Sequence, residues 1–174
     1  MIDQKPIYWQ VLSCYSLYFT ILSRDDRVIH LTFDREKHRR AFLFLQKMSP
    51  IVSLPQRVLP PEELLELLRK PPSFAELRSS PFIEQATLFQ NRVWQLISEI
   101  EFGSVRTYGE IAEMLGNRGL ARAVGRACNT NPIALSIPCH RVVGSSGLGG
   151  FSGGMEVKRK LLELEKNQTM SSIT

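Results

Sequence analysis

The stretch SIPCHRVVG, residues 136–144, sets a cysteine between a proline and a histidine. A thiolate attacks carbon and a thiol does not, so a reactive Cys139 needs a base or a positive field to lower its pKa, and His140 is the nearest base. Side chains at neighbouring positions do not face each other in a strand or a helix. A direct Cys139–His140 contact therefore requires a turn, and a bridging water is the simpler relay. Pro138 restricts the backbone entering such a turn, and Asn131-Pro132 starts a second tight turn able to lie beneath it. Taken alone, the Cys-His pair fits two readings: an activated nucleophile, or a small buried residue beside a loop.

The surroundings of the pair are basic. No acidic residue occurs between Glu113 and Glu156, while Arg118, Arg122, Arg126 and Arg141 all fall in that interval. Such a surface suits a polyanion such as nucleic acid, although the same arginines also serve plain solubility. Thr107 and Glu110 form a T-x-x-E capping box, which satisfies orphan donors at a helix start, and Tyr108, Ile111, Ala112 and Leu115 then share a face. GNRG makes a turn. Beyond it Leu120, Ala123, Val124 and Ala127 repeat at helical spacing, with Arg118, Arg122 and Arg126 recurring every fourth residue on another side. Helix, glycine turn and basic helix form a helix-turn-helix pattern. The small Ala121 and Gly125 leave the second helix slim enough for a narrow groove; packing as a helical hairpin without DNA gives the same pattern.

These elements need a scaffold. The 174 residues, 43% of them hydrophobic, suffice for one ordinary domain or two small ones, and the formal charge is +5. Neither a basic, apolar leader nor a bilayer-length apolar run is present, so residence in the cytoplasm, or the nucleus of a eukaryote, is expected. Cys14, Cys128 and Cys139 lack CxxC spacing and show no ligand pattern with His30, His38 and His140, which argues against a disulfide framework, structural zinc or any other metal. The β-branched and aromatic runs IYWQVLSC, YSLYFTILS and RVIHLTF, with an RDD turn, predict a small antiparallel sheet over residues 6–33. Asp34 caps a helix to about Lys47 with Phe42, Leu43 and Leu45 on its apolar face; Pro60-Pro61 opens another, EELLELLRK, which stops before Pro71. PPSFAELRSSP reads as a linker, giving a support domain at 1–80, a second domain at 81–166 and a frayed tail at 167–174. One helix is expected from Ser80-Pro81 to Gly103, with Phe89, Val93, Leu96, Ile97 and Ile100 on its buried face. The fold class is α/β (α+β): a small N-terminal sheet-and-helix domain, then a mostly helical domain like a winged helix-turn-helix.

RTYGEIA, ARAVGRA, the NP pair, IPCHRVVGSSG and SGGMEVKRKLLELE occur in the order and near the spacing of the O6-alkylguanine-DNA alkyltransferases, and over residues 87–166 the chain resembles that family. The resemblance implies that Cys139 accepts an alkyl group, that His140 and Glu165 complete a carboxylate–histidine–water–thiol relay, and that Asn131 holds the active-site turn. Tyr108 would donate to the departing guanine. Arg122 would take the place of an extruded nucleotide, with Ala121, Ala123 and Gly125 entering the minor groove of double-stranded DNA and Arg118 and Arg126 adding basic contacts. The Gly-rich residues 142–154 would wall the base pocket, with Val142, Phe151, Ser152 and Cys128 lining it. The alkyl carbon must meet sulfur in line with its leaving bond, which requires the base outside the stack. A thioether is stable, so the protein should be consumed in one turnover; no cofactor is implied, and a monomer is expected from the resemblance. Phe151 stands where relatives commonly carry tyrosine, and Arg126 is bulkier than the residue often found there. Two other readings remain at this level. A DNA-binding sensor or regulator would bind without being modified, and a Cys-His hydrolase would turn over a thioester or peptide.

Overall fold

In the computed structural model, which describes residues 5–171, three strands follow one another as an antiparallel meander: β1 (Ile7–Cys14), β2 (Leu17–Arg24) and β3 (Arg27–Thr32). Both hairpins close through two residues with positive φ, Tyr15-Ser16 and Asp25-Asp26, the left-handed turn that matches strand twist. After helix α1 (Arg35–Leu45) the chain returns as two short strands, β4 (Ile51–Ser53) and β5 (Arg57–Val58), which both pair in parallel with β1. The Asp34 side chain accepts from the N–H groups of Glu36 and Lys37 and so caps α1 as expected. The buried face of α1 differs from the expectation: Ala41 and Leu45 are buried and Leu43 is exposed. The α1 face is set by its docking on the sheet, which leaves Leu43 on the side away from it.

Helix α2 (Pro61–Arg69) buries Leu64, Leu65 and Leu68. The stretch expected to be a linker is ordered. Ser73 and Glu76 form a capping box on α3 (Phe74–Leu77), whose Phe74 and Leu77 enter the core, and Ser80, itself buried, donates its hydroxyl to Ile29 O at 2.8 Å. Proline and serine there start short helices. The single helix expected after Ser80 is two: α4 (Pro81–Glu84) and α5 (Leu88–Ser98), the second restarted by a Thr87–Gln90 capping box. One core runs through both halves of the chain, joining Leu12, Phe19 and Leu64 to Trp94, Ile97 and Val124.

The Thr107–Glu110 capping box forms and starts α6 (Tyr108–Met114). A 3-10 turn at Arg118–Leu120 leads into α7 (Ala121–Asn129), whose C-terminal end is tied to α5 by the Trp94 indole N–H donating to Ala127 O at 2.9 Å. Two contiguous pairs, β6 (Arg106–Thr107) against β7 (Val142–Val143), bring the start of α6 beside the cysteine motif. The last helix, α8 (Met155–Ser171), continues through most of the expected frayed tail; residues 172–174 lie outside the described residues. Within it the Thr169 hydroxyl donates back to Glu165 O, four residues earlier, at 2.9 Å. No helix of the described residues is long and apolar enough to cross a membrane.

Arg141 corrects the reading of a continuous basic surface. It is 2% exposed and its guanidinium donates to Ile100 O and Leu68 O at 2.7 Å each and to both carboxylate oxygens of Glu165 on α8. One planar fork thus ties α2, the end of α5 and α8 together, beneath the ring of Phe102.

Two predictions follow from these buried groups. Removing one partner of a buried, hydrogen-bonded ion pair leaves the other charge uncompensated, so Arg141→Met is expected to destabilise by about 3–5 kcal/mol in urea unfolding. Arg141→Lys recovers little of this, because one ammonium cannot span the three acceptor groups. His30 is buried against Phe82 with neither ring nitrogen hydrogen-bonded, and burial above all, helped by the charges of His38 and Lys37, pushes its pKa from 6.5 down to about 3. The unfolded chain then binds the proton that the folded chain refuses, so stability falls as pH drops below about 6.5. Thermal unfolding between about pH 6.5 and 5, above the carboxylate range, is expected to show this decline, and His30→Leu to make it shallower, with His38 and His140, whose pKa values burial also lowers, supplying the remainder.

Candidate active site

The turn that carries Cys139 is built by one side chain. Asn131 donates from Nδ2 to Ile137 O at 2.8 Å and to Cys139 Sγ at 3.0 Å, while its Oδ1 accepts from Ile133 N–H at 3.0 Å. An amide offers donors and an acceptor on one rigid plane, so it closes residues 131–139 into a loop and aims a donor at the sulfur. Pro138 then leads into a 3-10 turn, Cys139–Arg141.

The turn sends the side chains of Cys139 and His140 in different directions. His140 Nε2 bonds Glu165 Oε1 at 2.8 Å, and its Nδ1 is buried with no hydrogen-bond partner among the described residues. Glu165 is saturated: it accepts from His140, Arg141 and, at 2.9 Å, the N–H of Gly103. Burial raises its pKa, but His140 and Arg141 outweigh that and hold the carboxyl below its usual value. Burial also lowers the pKa of His140 against the pull of Glu165, and raises that of Cys139 against the Asn131 hydrogen bond and the charges of Lys37 and Lys158. At neutral pH this describes a neutral thiol beside a neutral imidazole whose second nitrogen is backed by a carboxylate.

Cys139 borders a cavity of about 840 Å³ whose other walls include Tyr108, Cys128, Phe151 and Ser152. Ala121, Arg122, Gly125 and Arg126 of α7 and Arg118 ahead of it border the same cavity. Ala123 faces elsewhere on α7, half-buried, and Val142 belongs to the core: its side chain is fully buried and it does not border the cavity. Strand β7 lies behind the cysteine turn, which turns Val142 inward. Arg118 pairs with Glu113 at 2.6 Å on the surface, so the acid that ends the basic interval folds back onto it. Among the described residues Arg122 and Arg126 have no acidic partner, which concentrates free positive charge on α7.

Tyr108 donates its hydroxyl to Gly150 O at 3.1 Å, and burial, with the fields of Cys128 and Cys139, raises its pKa to about 12. It is therefore a donor at neutral pH. The loop approaches it so closely that a Cβ at Gly149, where φ is +66°, would come within 2.6 Å of the ring. Lys158 escaped the sequence reading. Its side chain is fully buried, donating to Val142 O at 2.6 Å and Gly150 O at 3.2 Å, and so ties the start of the glycine loop to its later part. A lysine in KRK reads as a solvated helix charge; only its place on α8, with two apolar neighbours turned inward at Leu161 and Val157, hints otherwise.

Residues 88–167 match the family model described as 6-O-methylguanine DNA methyltransferase, DNA binding domain. A methylated-DNA–protein-cysteine methyltransferase of Mycobacterium leprae is 56% identical over 51% of this chain and 54% of its own length, so the chain spans about half the length of the curated relatives it matches. The crystal structure of Mycobacterium tuberculosis O6-methylguanine methyltransferase superposes over 92% of this chain and 93% of its own, with a TM-score of 0.64 and 29% identity. The structure of the Mycobacterium tuberculosis protein in complex with DNA covers 92% and 94%, with a TM-score of 0.58 and 28% identity. Motif order in the sequence, a cysteine turn closed by Asn131 beside a basic helix, and these likenesses agree: residues 88–167 are similar to the DNA-binding domain of the 6-O-methylguanine DNA methyltransferases.

Proposed function

We propose that this chain is a DNA repair protein that takes O6-alkylguanine out of double-stranded DNA and transfers the alkyl group irreversibly to its own Cys139. The observation that carries the proposal is the position of the sulfur: buried, hydrogen-bonded by Asn131, and bordering a cavity whose rim is the basic helix α7. A duplex lying on α7 meets Arg122 and Arg126 with the small Ala121 and Gly125 beside them, which suits a minor-groove approach; Arg122 fills the gap that an extruded nucleotide leaves. The Mycobacterium tuberculosis relative seen in complex with DNA supports the choice of partner.

In the pocket the flipped guanine lies against Phe151 and Ser152 with its alkyl carbon toward Cys139. The thiol proton passes through a water to His140 Nδ1, and Glu165 steadies the resulting imidazolium through Nε2. Sulfur bonds to the alkyl carbon as the bond from that carbon to O6 breaks. The electron pair stays on the guanine, and Tyr108, leaving Gly150 O, gives it a hydrogen bond or a proton. The thioether has no route back to thiol, so each molecule acts once. In this reading residues 1–80 support residues 81–166, which bind DNA and accept the alkyl group; the protein acts as a cytoplasmic monomer.

The test is an intact-protein mass spectrum after mixing with a duplex that contains one O6-methylguanine. The expected result is a gain of one methylene, mapped to Cys139 and ceasing at one equivalent, with Cys139→Ala retaining DNA binding but gaining nothing. Tight binding without a mass gain overturns transfer in favour of lesion sensing. Sustained turnover overturns the single-use mechanism.

A further inference from the structure

The segment from β3 into α1 reaches the site at three points. Leu31 N–H donates to Pro132 O at 3.0 Å and Leu31 O accepts from Ala134 N–H at 2.8 Å, so the N-terminal sheet extends onto the turn that Asn131 closes. Phe33 packs between Phe19 of the core and Phe151 of the cavity wall, with ring centroids 5.3 Å and 6.1 Å away. A Cβ at Gly153 would come within 2.6 Å of Phe33, so the glycine loop is fitted against this segment. The third point is Lys37, whose Nζ donates to Asn129 O at the last residue of α7.

Lys37 sits in the first turn of α1, where the helix dipole disfavours a cation. Its ammonium is instead at the C-terminal end of α7, where unpaired carbonyls and the dipole favour one. Asn129 borders the same cavity as Cys139, two residues ahead of the Asn131 that holds the sulfur. The Asp34 cap sets the first turn of α1, so the lysine starts from a defined place.

We propose that Lys37 is a positioning residue for Cys139: from α1 in the N-terminal half of the chain it fastens the end of α7, on the rim of the cavity that Cys139 borders and two residues ahead of the Asn131 that holds the sulfur. This rests on the reading of Cys139 as the alkyl acceptor. A thiolate at Cys139 is favoured by Lys37 and Lys158 together, and the other titratable groups around it, His140, Cys128 and Tyr108, stay neutral at neutral pH. Asp34 and a Cys139 thiolate favour the charged form of Lys37 against its burial, and the Lys37 charge in turn disfavours protonation of His30. Removing a cation that favours the thiolate raises the thiol pKa, so the rate profile moves to higher pH.

The experiment uses the full chain as wild type, Lys37→Met and Lys37→Arg. Single-turnover methylation of Cys139 by the O6-methylguanine duplex is followed between about pH 6 and 9, alongside carboxamidomethylation of Cys139 by iodoacetamide without DNA, mapped by peptide. Lys37→Met is expected to slow both reactions about tenfold at neutral pH, one pKa unit of thiolate, and to move both profiles upward, while Lys37→Arg restores most of the rate. Unchanged rates and profiles in Lys37→Met overturn the proposal, as does equal slowing in Lys37→Arg with no movement of the profile. If the wild type is never methylated, the acceptor reading itself fails and the proposal with it; if it is methylated and Lys37→Met matches it, only the role of Lys37 fails.

Discussion

The buried carboxylate of Glu165 is the charge around which the rest of the molecule is arranged. An ionised carboxylate away from water costs several kcal/mol unless every lone pair is met, and here the donors come from His140, Arg141 and the backbone of Gly103. Each donor belongs to a different part of the chain or aims elsewhere as well. Arg141 spends its remaining N–H groups on α2 and the end of α5, and Gly103 ends the segment that α5 begins. The same carboxylate therefore closes the core and fixes the imidazole beside the cysteine. A change that loosens the fold at this point also turns His140.

The reactive turn is supported from both sides, by different physics. From α8 the support is ionic and fully buried, through Glu165 and through Lys158 on the carbonyls of the glycine loop. From the N-terminal sheet it is a short β-ladder at Leu31, an aromatic contact at Phe33 and one ammonium at Lys37. Because the core is continuous across both halves, the sheet braces the site from behind without lining its cavity. The sulfur between these supports is held as a thiol at rest, because its burial outweighs the Asn131 hydrogen bond and the nearby positive charges.

Local chemistry was legible where one short stretch decides it. The three strands, the Asp34 cap, the Thr107–Glu110 box and the two helices around GNRG all follow from propensity, capping and period within a few residues, and the structure has them. So does the cysteine motif, whose order of residues carries its own family. The misread stretch, residues 71–87, shows the limit: proline and serine mark both linkers and helix starts, and only the burial of Phe74, Leu77 and Ser80 against distant partners tells the two apart.

What the sequence determined by itself was the cysteine motif and the basic helix, because both are written in contiguous residues. What only the tertiary structure decided was which charges face the cavity and which hold the protein together. Arg122 and Arg141 look alike in a row of arginines, yet one lines the cavity and the other is sealed in the core; Lys37 and Lys158 sit among other basic residues, yet each binds carbonyls far away in the chain. A charge takes its role from the partners that desolvate or compensate it, and those partners lie between 8 and 92 residues away in sequence, at separations that no helical or strand period marks.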